Sequence, residues 1–78
     1  MIPQVTEKVD CRGLACPMPT IRLSQAIRTI DIGQVLELWA DDPASELNMM
    51  AWAKNTGHEL LMYSAVGSVF QFQFRRTR

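Results

Sequence analysis

Two side chains in this sequence are suited to nucleophilic sulfur chemistry, and both lie in the run Asp10-Cys11-Arg12-Gly13-Leu14-Ala15-Cys16-Pro17-Met18-Pro19. Cys16 is followed at once by Pro17. Proline suits the first turn of a helix, because its φ is already helical and its missing N–H would have no partner there. An apolar-periodic stretch follows, so the sequence predicts Cys16 at the N-cap of a helix or beside it. The same device recurs at Asp42-Pro43, where the cap position carries a carboxylate, a group favoured by the positive end of the helix dipole. In the first case a thiol takes that place. Such a helix end favours the thiolate, the reactive form of cysteine.

The neighbours of Cys16 have assignable parts. Gly13 supplies an unusual backbone angle in the loop. Pro17 and Pro19 stiffen the start of the helix and remove two N–H donors, leaving fewer of them aimed at the sulfur. Arg12 either steadies the thiolate, meets an acidic partner, or is a solvated loop charge. Cys11 is expected to pack at the end of a strand. The rival reading makes Cys11 and Cys16 the two halves of a dithiol redox module, although their spacing differs from the C-x-x-C of thioredoxin-like proteins. His58 is expected at a helix end rather than as a catalytic base. Met49, Met50 and Trp52 are expected in the core.

Size and composition narrow the choices. The 78 residues make one domain, which buries roughly 60% of its unfolded surface. A large internal cavity does not fit such a chain, so a reactive group belongs at the surface and its substrate on a partner protein. Eight basic and eight acidic residues leave no net charge, which argues against a general nucleic-acid binder. Arg75, Arg76 and Arg78 read as a solvated basic tail. No signal-peptide pattern opens the chain and no apolar run reaches the ~18 residues of a membrane span, so a cytoplasmic protein with reduced thiols is expected. Two cysteines and one histidine fall short of a four-ligand zinc site, and neither metal nor cofactor is expected.

The elements that hold these residues follow from hydrophobic periodicity. A short strand is predicted near Val5 to Val9. The first helix is predicted from Pro17 to about Ile30, with Leu23, Ala26, Ile27 and Ile30 on one stripe and Gly33 after its end. A second strand, Gln34 to Ala40, sets Leu36, Leu38 and Ala40 against Val35, Glu37 and Trp39. The second helix is predicted from Pro43 to about Thr56, stopped by Gly57. Glu59 to Ala65 reads as the third strand, with a turn at Val66-Gly67. In the fourth, Phe70, Phe72 and Phe74 alternate with Gln71, Gln73 and Arg75, one face covered and the other wet. Right-handed crossovers put both helices on one face. The predicted fold class is α/β: a two-layer sandwich of order β-α-β-α-β-β, with a small four-stranded mixed sheet. Trp39 is expected on the wet face beside Glu37.

The motif and the element order together resemble the TusA (SirA-like) family of small sulfur-carrier proteins. The resemblance is carried by Arg12-Gly13-Leu14 and Cys16-Pro17-Met18-Pro19, a Cys-Pro-x-Pro signature at the start of the first helix. Asp41-Asp42-Pro43-Ala44 and Ala51-Trp52-Ala53 leading to Thr56-Gly57-His58-Glu59-Leu60 extend it over nearly the whole chain. The resemblance implies that Cys16 accepts a sulfane sulfur as a persulfide from a donor such as a cysteine desulfurase or a rhodanese. It implies onward transfer to an acceptor protein in tRNA thiolation, molybdenum-cofactor assembly or sulfur oxidation; some relatives are linked to selenium. On this reading the chain is a sulfurtransferase component acting as a carrier, not a stand-alone enzyme. A third reading, an RNA-binding or regulatory module, rests on the similar layout of a translation initiation factor domain, and fold alone does not fix function.

Overall fold

The computed structural model describes residues 4–78; Met1, Ile2 and Pro3, part of the N-terminal stretch read above for a signal peptide, lie outside the described residues. The elements are β1 (Val5–Cys11), α1 (Met18–Ala26), a 3-10 turn (Ile27–Thr29), β2 (Val35–Ala40), α2 (Ser45–Thr56), β3 (Glu59–Val66) and β4 (Val69–Arg75). The sheet order is β1-β2-β4-β3. β1 runs parallel to β2, while β4 is antiparallel to both β2 and β3. This is the mixed four-stranded sheet with two helices that the periodicity predicts.

One layer boundary organises the core. Leu36, Leu38 and Ala40 of β2 and Phe72 and Phe74 of β4 point the same way, against Leu23 of α1, Ile27, Ile30, and Met49 and Trp52 of α2. Phe72 and Phe74 are fully buried. Trp52 meets Phe74 edge-on at 5.1 Å between ring centres, a favourable aromatic geometry. Burying these rings and the aliphatic side chains around them drives the helices onto the sheet.

The opposite face is less wet than the alternation suggests. β2 and β4 are the two central strands, so their outward side chains have neighbours on both sides. Trp39 donates its Nε1–H to Glu37 (2.9 Å), and Gln73 Nε2–H donates to the other Glu37 oxygen (3.0 Å). Glu37 and Gln73 are thereby buried with their polar groups satisfied.

Several boundaries shift from expectation. β1 extends to Cys11, because parallel pairing with β2 continues to Cys11 opposite Ala40. α1 begins at Met18 with Pro17 as its cap residue, so Cys16 lies one residue before the cap and two before the helix. It ends at Ala26; the predicted stretch through Thr29 tightens into the 3-10 turn, and Gly33 belongs to the turn before β2. α2 begins at Ser45, not Pro43, because residues 42–45 first close a turn in which the Ser45 N–H donates to the Asp42 carbonyl. The hairpin turn is Gly67-Ser68, since Val66 still pairs with Val69. Met50 is 43% exposed, unlike Met49 and Trp52.

Candidate functional site

Two loops meet at one end of the molecule. Because β1 and β2 are parallel neighbours, each followed by a helix on the same face, the segments after them emerge side by side. The first, Arg12 to Pro17, carries Cys16. The second, Asp41 to Ala44, carries two carboxylates. Between them lies an open depression of about 280 Å³ lined by Gly13, Leu14, Ala15, Asp41, Asp42 and Pro43.

Cys16 is exposed and its thiol is free. Its backbone N–H donates to Asp42 Oδ2 at 2.7 Å, and the other oxygen of that carboxylate accepts the Ala44 N–H at 3.0 Å. Asp41 accepts the Gly13 N–H with both oxygens, at 2.9 and 3.1 Å. Gly13 has φ +81°, a left-handed backbone that glycine adopts without a Cβ penalty. The two N–H bonds, from Ala44 first and Cys16 second, hold the Asp42 carboxyl below the ordinary carboxylate range.

Few backbone donors remain near the sulfur. Leu14 N–H donates to the Cys11 carbonyl and Met18 N–H to the Ala15 carbonyl. Pro17 and Pro19 have none to give. Pro17 is exposed and follows Cys16 through a cis peptide, whereas Pro19 is buried under the first turn, where its carbonyl-side helix begins with the Ile21 N–H bonded to the Pro17 carbonyl.

Cys11 and Arg12 face other tasks. Cys11 is fully buried in the core at the end of β1, and burial pushes its thiol pKa up. Arg12 grips Asp10 through two side-chain bonds of 2.9 Å and lies over the Trp39 ring at 5.2 Å, so its guanidinium is engaged on the helix-free face of the sheet. The guanidinium bonds, and then the Arg12 backbone N–H donating to Asp10 Oδ1 at 3.1 Å, lower the Asp10 pKa to about 2. His58 stands at the far end of α2, about 18 Å along a twelve-residue helix from its start. It stacks on Trp52 and accepts the Thr77 N–H at Nδ1. Burial, then Arg78 and Arg76, push its pKa down. Among the described residues no three His, Cys, Asp or Glu side chains come together as a metal site.

Sequence reasoning took Asp42 as a cap for its own helix and assigned nothing to Asp41. The signal for their second role was the topology: consecutive right-handed crossovers bring successive strand-to-helix loops together.

Residues 7–76 match the family described as Sulfurtransferase TusA. This chain belongs to the TusA family. The sulfur carrier protein TusA of Allochromatium vinosum is 35% identical over 71 residues, which cover 91% of this chain and 93% of that one. The YrkF protein of Bacillus subtilis is 38% identical over 73 residues, covering 94% of this chain; the chain spans 40% of YrkF's length. A SirA-like protein from Desulfitobacterium hafniense shares the fold, with a TM-score of 0.80 and 23% identity, covering 94% of this chain and 100% of the other. The TusA family is one of sulfur carriers, so partners that give and take sulfur come with membership. No helix among the described residues is long and apolar enough to cross a membrane.

Proposed function

We propose that this protein carries sulfane sulfur as a persulfide on Cys16 and relays it between partner proteins. The observation that carries the reading is an exposed thiol, immediately before the cap residue of a helix, in a chain of the TusA family. The Cys16 thiolate attacks the outer sulfur of a donor persulfide. A new S–S bond forms at Cys16, the donor's S–S bond breaks, and its electron pair leaves on the donor cysteine as thiolate. The acceptor's thiolate then repeats the step on the outer sulfur of the Cys16 persulfide, and Cys16 leaves as thiolate. No external oxidant or reductant enters, because the sulfane sulfur moves without changing oxidation state. The donor is a cysteine desulfurase or a rhodanese, and the acceptor is a protein thiol. The single domain holds and presents sulfur, while its partners complete the chemistry in the cytoplasm. Recognition is by protein contacts rather than by nucleic acid, in keeping with zero net charge.

The test is intact-protein mass spectrometry after incubation with a cysteine desulfurase and cysteine. Wild type and Cys11→Ser are expected to gain about 32 Da, one sulfur atom, removable by a reductant, and Cys16→Ser to gain nothing. An adduct that persists in Cys16→Ser overturns the assignment. A reversible disulfide that needs both cysteines would replace it with the dithiol reading.

A further inference from the structure

The clasp between the two loops is stronger than α2 needs. One acceptor oxygen on residue 42 satisfies the Ala44 N–H, and Asn or Ser meets that demand at many helix starts. The second oxygen of Asp42 reaches out of its own loop to the N–H of Cys16 itself, at 2.7 Å. Among side chains of this size, only a carboxylate presents a separate acceptor oxygen to each of the two N–H groups. Asp41 turns both of its oxygens on the single N–H of Gly13, so consecutive carboxylates of one loop grip the Gly13–Cys16 segment at both of its ends.

Resting on the carrier reading of Cys16, we propose that Asp42 is a positioning residue: it fixes the backbone of Cys16 so that the sulfur points outward, and it takes up the N–H that would otherwise serve the sulfur. The consequence is twofold. The thiolate meets each partner from one fixed direction, which matters because the reacting sulfurs must align along the breaking S–S bond. The persulfide is also held by few donors, since Pro17 and Pro19 lack N–H groups and those of Met18 and Cys16 are bonded elsewhere. Sulfur so held is ready to leave.

The experiment compares wild type, Asp42→Asn and Cys16→Ser, with loading from a cysteine desulfurase and cysteine measured against carrier concentration. Asn keeps the size and an acceptor for Ala44 but turns an amide donor toward Cys16. Asp42→Asn is expected to lose on the order of ten- to a hundredfold in kcat with KM unchanged and the fold retained. In 15N-resolved NMR, the Cys16 amide proton is expected downfield in wild type, to follow the titration of a carboxylate in acid, and to lose both properties in Asp42→Asn. Equal kcat values, or a loss that follows the fraction of unfolded protein, overturn the proposal. If wild type takes no sulfur, the carrier reading fails. The clasp is then judged by the Cys16 amide alone, expected to lose its downfield position and its titration in Asp42→Asn. An unchanged amide overturns it.

Discussion

The two ends of the helical layer are built by opposite chemistry. At the N-terminal end, carboxylates reach in to accept N–H groups: Asp42 from Cys16 and Ala44, Asp41 from Gly13. At the C-terminal end, guanidinium and hydroxyl groups reach in to serve carbonyls: Arg76 on Ile30, Arg78 on Thr56, Thr77 on Gly57. Each arrangement places charge where the helix dipole favours it. The outcomes differ. The C-terminal end is bound by the final residues, Thr77 to His58 and Gly57 and Arg78 to Thr56, while the N-terminal end is tied by side-chain carboxylates on backbone N–H groups and leaves one reactive side chain free. A helix end can thus be satisfied without covering it, and that is what a carrier of a transferable atom requires.

The largest effect that sharpens this contrast is on sulfur loading. Cys16→Ser at one end is expected to abolish it, and Arg78→Ala at the other to leave the loading rate at the wild-type value while lowering the melting temperature. Loading rates from the mass-spectrometric assay check both.

Cys11 lies behind the reactive loop, and its contribution is expected to be packing. Cys11→Ser buries a hydroxyl in an apolar site, which costs about 2 kcal/mol. Urea unfolding is expected to show that loss with loading unchanged, and a loading defect at full stability would break the division between the two thiols. In the native protein, Cys16 is expected to react fully with a maleimide while Cys11 reacts only on unfolding.

A smaller effect separates the ends by pH. The folded pKa of His58 lies below its ordinary 6.5, so the unfolded chain takes up the proton first. Stability fully present above 6.5 is therefore lost as pH falls through the lowered value, and the Thr77 N–H loses its acceptor when Nδ1 is protonated. His58→Asn keeps an acceptor without titrating and is expected to flatten the fall in melting temperature below pH 6.5. The Asp42 clasp behaves differently. Its carboxyl is depressed from 3.8, so its contribution is present above 3.8 and is lost only in stronger acid, as pH falls through the lowered value. Melting curves from pH 7 to 5 are expected to report the C-terminal end alone.

Much of this molecule was legible without coordinates. The alternation Phe70-Gln71-Phe72-Gln73-Phe74 dictates a strand with one apolar face, Gly57 dictates where α2 stops, and Cys16-Pro17 marks a helix start, because each is a local rule of backbone or period. The exact ends of α1 and α2 were less so. Pro17 and Pro43 announce a helix, but turns at Cys16-Pro17 and Pro43-Ala44 come first, and hydrogen bonding, not proline, decides where the ladder begins.

The pattern of apolar residues and turns determined by itself the element order, the layer that is buried and the motif that carries the thiol, since these depend on neighbours along the chain. Only the tertiary structure decided that Cys11 is sealed and Cys16 open, that Arg12 turns to Asp10 and Trp39, and that Asp42 holds the backbone of a residue 26 positions away. Those outcomes depend on β1 and β2 lying side by side, and pairing between distant segments is set by packing of the whole sheet, which no local stretch encodes.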